Sequence, residues 1–249
     1  MLCAGVLGLS KLMNSIADNI SAVQQRVQQA LRGAGRNSDS VQLLAVSKTQ
    51  PVAAIRAAER AGLKAFGENY LQEAEQKIAQ LQSPGAPLQW HFIGPLQANK
   101  TRRAAELFDW VHSVDRLKIA QRLAAQRPAA LAPLNICLQV NIDDEPSKAG
   151  LRPAELAEVA AAVATLPGIR LRGLMAIPKP RAAVEQQRAP FAALRVLRDS
   201  LNKQLTALQQ QPMDTLSMGM SGDLEAAIAE GATIIRVGSD IFGARAPLR

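Results

Sequence analysis

VQLLAVSKTQP, residues 41–51, reads as a buried strand that stops abruptly. VQLLAV is a short apolar run with a β-branched residue at each end, the composition of a strand covered on both faces. Pro51 carries no N–H and forbids its continuation. The turn after this strand bears on the fold. An open, doubly wound sheet normally places a Gly-rich G-x-G-x-x-G turn after its first strand, and here SKTQP stands instead. Lys48 is left at the strand's C-terminal end. A lone lysine is most often a surface group, so the surrounding pattern has to say whether this one is more.

Working outward, segments of strand and helix character alternate along the chain. The strands predicted are QLLAV (42–46), LKAFG (63–67), QWHFIG (89–94), DWVHSV (109–114), NICLQVNI (135–142), IRLRGLMAI (169–177), DTLSMG (214–219) and TIIRVG (233–238). Between them lie helical patterns at 52–62, 69–81, 97–108, 115–126, 152–166, 181–210 and 222–231, several opening on Asp, Asn or Pro and others stopping at Gly or before Pro. Parallel neighbours need a crossover that a helix supplies, so this alternation predicts a parallel sheet. Repeated to eight strands, it predicts a closed (β/α)8 TIM barrel, with a doubly wound sheet as the alternative.

Totals narrow the function classes. The chain has 249 residues, 48% hydrophobic and 20% charged, which excludes a disordered chain. Its net charge of +8 is dispersed over helix faces with no basic block, which argues against nucleic acid as a partner. Cys3 and Cys137 are far apart and belong to no Cys/His cluster, so neither a disulfide framework nor a zinc site is expected. The first dozen residues, MLCAGVLGLSKL, lack the features of a signal peptide and are too short to span a bilayer. The expectation is a cytoplasmic protein with no membrane partner, a disordered extension over residues 1–12 (or an upstream start codon), and one barrel domain over 13–249.

In such a barrel, functional residues gather at the C-terminal ends of the strands, and phosphate sites are frequent in the loops after strands seven and eight. SMGMSGD (217–223) comes after strand seven and RVGSDIFG (236–243) contains the end of strand eight. Gly219 and Gly222 permit tight turns, Ser217 and Ser221 offer hydroxyls, and Gly238 and Ser239 are placed to supply backbone donors. Lys48, on strand one, is next to strand eight once the barrel closes. A lysine facing an enclosed phosphate site can form a Schiff base with an aldehyde cofactor. It can equally act as an electrostatic clamp on a sugar phosphate. Other strand ends contribute Asn69, His91, His112, Ser113, Asn141 and Met175, each of which has an ordinary packing explanation. Arg236 is harder to dismiss, because a charge within TIIRVG must be paired or face a ligand.

The set LLAVSKTQP, FGENYLQEAEQK, WHFIGPLQANK, HSVD, GLMAIP, LSMGMSGDLEAAIAEG and RVGSDIFG resembles the pyridoxal-phosphate homeostasis protein family, a single-domain relative of the alanine racemase barrel. The resemblance runs from about Met13 to Arg245. It implies pyridoxal 5′-phosphate on Lys48, its phosphate held by Ser217, Met218, Gly219, Met220 and Ser221 together with Arg236 to Gly238. It also implies Arg236 near the pyridine nitrogen, with Asn69, His91 and Met175 lining the pocket. Family members are thought to carry and buffer the cofactor in vitamin B6 and amino-acid balance, with pyridoxal-phosphate-dependent apoenzymes as recipients, and a monomer is expected here. The competing reading is a slow racemase. Racemases of this fold set a lysine on one face of the cofactor and a tyrosine from a second domain of a partner subunit on the other. This sequence ends soon after strand eight, and its one tyrosine, Tyr70, has packing as its expected role.

Overall fold

The computed structural model describes the backbone of residues 3–81, 87–145 and 148–243, and within these the side chains from Ile16 onward. Eight strands close into one parallel barrel in chain order. They are β1 (Gln42–Val46), β2 (Ala65–Glu68), β3 (Gln89–Phe92), β4 (Trp110–Val114), β5 (Leu134–Gln139), β6 (Ile169–Met175), β7 (Thr215–Ser217) and β8 (Ile234–Val237). β8 pairs back onto β1, setting Arg236 opposite Leu44. Every expected strand is present, and the doubly wound alternative is excluded by closure. The ends differ slightly: β7 is only three residues long, because the left-handed turn at Gly219 takes the chain out of the ladder.

Helices α2 (Val52–Arg60), α3 (Leu71–Gln80), α4 (Thr101–Leu107), α5 (Leu117–Gln126), α6 (Leu156–Ala164), α7 (Val184–Ala207) and α8 (Leu224–Ala229) make the crossovers. Among the described residues, the one helix after β8 is α9 (Ser239–Phe242), a single turn within a segment read from sequence as a loop. The gap this leaves in the outer ring is filled by α1 (Cys3–Gly33), which contacts α8, α2 and α9. Ile16, Ile20, Val23, Val27 and Leu31 recur at spacings of three and four and are all buried, so one stripe of α1 faces the barrel. The trace of α1 begins at Cys3, inside the segment expected to be a disordered extension. No proline interrupts that segment, and its Leu, Ala and Lys residues favour propagation of a helix already nucleated further on. Residues 1–2 and 244–249 of the expected extension and domain lie outside the described residues.

The alternation of each strand divides the core in two. Leu44, Ala65, Trp110, Cys137, Met175 and Ile234 meet inside the barrel, and Ile93 packs on them. The larger apolar cluster, including Phe66, Phe92, Val111, Ile136 and Ile235, fills the layer between strands and helices. The interior plug supports one open end of the barrel, the end at which the strands finish.

Candidate functional site

At that end lies a cavity of about 230 Å³. Val46 and Lys48 reach it from β1, Asn69 from β2, Ile93 from β3, Ile177 from β6, Met220 to Gly222 from β7, and Arg236, Gly238 and Ser239 from β8. A larger cavity of about 450 Å³ opens at the opposite end, but Lys64 is the only titratable group in its lining. Chemistry is therefore concentrated at the first.

Six of the eleven residues expected to hold the cofactor converge there: Lys48, Asn69, Met220, Ser221, Arg236 and Gly238. The other five lie outside its lining, and all are buried. Met175 belongs to the apolar plug on which Ile93 rests. Met218 faces outward into the layer beneath the helices. Gly219 forms the turn between β7 and the loop, with φ +93, and a Cβ there would sit 2.6 Å from that of Ala227. Only glycine satisfies both conditions. Ser217 and His91 belong to a polar chain through the barrel interior.

That chain starts at Arg236, fully buried on β8. Its Nη1 donates to Ser217 Oγ at 2.7 Å and its Nη2 to the Ala176 carbonyl at 2.9 Å. Burial draws its pKa down to about 10, so it remains a cation at neutral pH. Ser217 Oγ also meets His112 Nδ1 at 2.7 Å, His112 Nε2 meets His91 Nδ1 at 2.9 Å, and His91 Nε2 meets Gln89 Oε1 at 2.9 Å. Gln42 Nε2 donates to the same Gln89 oxygen. A guanidinium can only donate, so Ser217 passes its own proton to His112. His112 then donates to His91, and His91 to Gln89. The reverse order would leave the buried Ser217 proton without an acceptor among the described residues. Both imidazoles are thus neutral with the proton on Nε2. Burial holds His91 at about 3 and His112 well below the ordinary histidine value, with the neighbouring Arg236 cation adding to the second. His91 also stacks on Trp110, ring centroids 5.5 Å apart. The expected pocket role of His91 is therefore replaced by a place beneath the pocket, and the Ser217 hydroxyl is committed to Arg236 and His112 rather than turned toward a phosphate.

The two Gly/Ser loops come together as expected: Ser221 and Ser239 hydroxyls are 3.3 Å apart. A residue that the sequence pattern does not single out binds them from behind. Arg26 of α1 donates to the Ser221 carbonyl at 3.0 Å, to Asp240 at 2.7 Å and to Glu225 at 2.8 Å. Asn19 of the same helix donates to the Ile241 carbonyl. Nothing local marks Arg26 as special, since its partners lie on the far side of the sequence.

On the wall opposite, Asn69 Oδ1 is buried without a partner among the described residues. Gly94 permits that wall: a Cβ at this position would lie 2.2 Å from the Asn69 carbonyl oxygen. A buried acceptor without a donor is what a polar ligand would satisfy. The cavity therefore presents an amine on one wall, a polar side chain on another, paired Gly/Ser loops and a buried cation. That donor set fits a phosphorylated aromatic aldehyde such as pyridoxal 5′-phosphate.

Residues 14–246 match the family model described as alanine racemase, N-terminal domain. The pyridoxal phosphate homeostasis protein of Pseudomonas aeruginosa is 59% identical over 233 residues, covering 94% of this chain and 97% of that protein. Its counterpart in Escherichia coli is 51% identical over 241 residues, covering 94% and 98%. The solved structure of PipY from Synechococcus elongatus with pyridoxal phosphate bound superposes with a TM-score of 0.79 at 39% identity, covering 92% of this chain and all of that one. By sequence and by fold, then, this chain belongs to the pyridoxal phosphate homeostasis protein family, built on the alanine racemase N-terminal barrel.

Proposed function

We propose that this protein binds pyridoxal 5′-phosphate at the barrel mouth and carries it without substantial turnover. The observation that carries the reading is the convergence of Lys48, Arg236 and the Ser221 and Ser239 loops on one cavity. When bound, the cofactor would supply an aldehyde with which the Lys48 amine could condense, releasing water, so that Lys48 would hold it covalently. The loops after β7 and β8 hold the phosphate through Ser221, Ser239 and backbone N–H groups. Arg236 would be the residue beside the pyridine nitrogen and, being a cation that gives up no proton, would leave that nitrogen unprotonated and the ring a poor electron sink.

Racemisation removes a proton from one face and returns it at the other, and assistance by one positioned group is typically worth about 10² to 10⁴ in rate. Lys48 serves one face. His91 is sealed under the cavity as a neutral ring between two partners, and Tyr70 is 58% exposed and outside the cavity lining. The racemase alternative thus lacks its second group among the described residues. We further propose that the carrier hands its cofactor to apoenzymes and works as a cytoplasmic monomer. No helix among the described residues is long and apolar enough to cross a membrane.

The test is an absorption spectrum of the purified protein with pyridoxal 5′-phosphate, before and after borohydride, then peptide mapping. The expected label is a pyridoxyl group on Lys48, absent in Lys48→Ala, which keeps weaker non-covalent binding. A label on another lysine refutes the assignment.

A further inference from the structure

Lys48 stands between two residues whose backbones are fixed from outside the barrel. Ser47 and Glu68 point away from the interior, toward α3, and are wholly buried. Lys77 of α3 reaches in among them, its side chain 6% exposed, and donates to the Ser47 carbonyl at 2.7 Å, to Glu68 Oε1 at 2.7 Å and to Glu73 Oε1 at 2.6 Å. Ser47 Oγ donates to the same Glu68 oxygen at 2.6 Å. Glu73 Oε1 accepts a second bond, from the backbone N–H of Thr49, at 2.5 Å. Thr49 has φ +65, a conformation that a β-branched residue adopts only when its surroundings impose it.

The cluster therefore grips the chain at residue 47 and at residue 49, one on each side of Lys48. It also fixes Glu68, which immediately precedes the cavity residue Asn69. Buried ion pairs give little net stability, because desolvating the charges offsets their attraction. Three ionic groups in this place need another justification, and the strained turn provides one. We infer that Lys77, Glu68 and Glu73 are positioning residues that hold the Ser47 to Thr49 turn in its strained form so that the Lys48 amine is aimed across the cavity at the aldehyde.

The inference rests on Lys48 being the cofactor lysine, and the experiment separates the two. The probes are pyridoxal 5′-phosphate, which can link to the lysine, and pyridoxine 5′-phosphate, which has an alcohol in place of the aldehyde and can only bind non-covalently. In Glu73→Ala the Thr49 N–H loses its charged acceptor. The amount of borohydride-trappable link at sub-saturating pyridoxal 5′-phosphate should fall about 10-fold, whereas affinity for pyridoxine 5′-phosphate should stay within about twofold. Glycine takes positive φ without strain, so adding Thr49→Gly to Glu73→Ala should restore most of the trapping. Lys77→Met should show the larger loss if it folds, and Glu73→Ala with its rescue decides the matter if it does not. Unchanged trapping in Glu73→Ala, equal losses for both probes, or no recovery with Thr49→Gly each overturns the positioning role. A wild-type protein that traps nothing at residue 48 overturns the parent assignment first, before any variant is compared.

Discussion

His91 and His112 illustrate what burial does at the scale of a residue. Neither carries a charge, and each has one nitrogen donating and one accepting, so the pair transmits the direction set by Arg236 through the barrel interior. Stability should respond to pH accordingly. Unfolded, His91 has the ordinary value near 6.5; folded, burial holds it at about 3. Between these values the unfolded chain binds a proton that the folded chain does not, so stability falls as pH drops through that window. Burial pushes Glu68 the other way, raising its pKa, so it opposes the trend in acid. Comparing wild type with His91→Gln removes that background. The variant should show a shallower dependence of unfolding free energy on pH between 6.5 and 4.5, by up to about 1.4 kcal/mol per pH unit, measured by denaturant titration. Parallel curves for the two proteins would mean that His91 does not stay neutral in the fold.

At the scale of an element, α1 matters more than its place ahead of the barrel suggests. It substitutes in the outer ring for the helix that α9 is too short to supply, and through Arg26 it holds the loops after β7 and β8 in one arrangement. Arg26 does not line the cavity. Its replacement by alanine should therefore act only by loosening the anion site. Affinity for pyridoxal 5′-phosphate should weaken several-fold, on the order of one lost charge-assisted hydrogen bond, and that for unphosphorylated pyridoxal should hardly change. Equal weakening of both ligands, read by fluorescence titration, would place the phosphate elsewhere. Upstream, the family match begins at residue 14 and the first described buried side chain of α1 is Ile16. We propose that residues 1–12 are dispensable. A chain beginning at Met13 should keep the thermal midpoint and cofactor affinity of the full one, and a loss of either would show that the extension packs on the barrel.

Across the whole molecule, the sequence by itself determined the architecture. Eight apolar runs separated by helical patterns were enough, because whether a segment faces the core on one stripe or on two sides is written in its own periodicity. The same local signals located the mouth: Pro51 ending the first strand beside Lys48, Gly219 requiring a left-handed turn, and Arg236 as a charge that an apolar strand cannot leave unpaired. What that charge pairs with was decided only by tertiary structure. Ser217 meets His112 across 105 residues of chain, Arg26 reaches Asp240 across 214, and Lys77 reaches the Ser47 carbonyl across 30. A local pattern specifies burial and backbone conformation. The partner of a buried polar group depends on which strands the closed barrel sets side by side and on which layer each side chain enters. His91 shows the difference: its position in β3 was legible, but its role as an inward, neutral link beneath the cavity exists only once β3, β4, β7 and β8 enclose one interior.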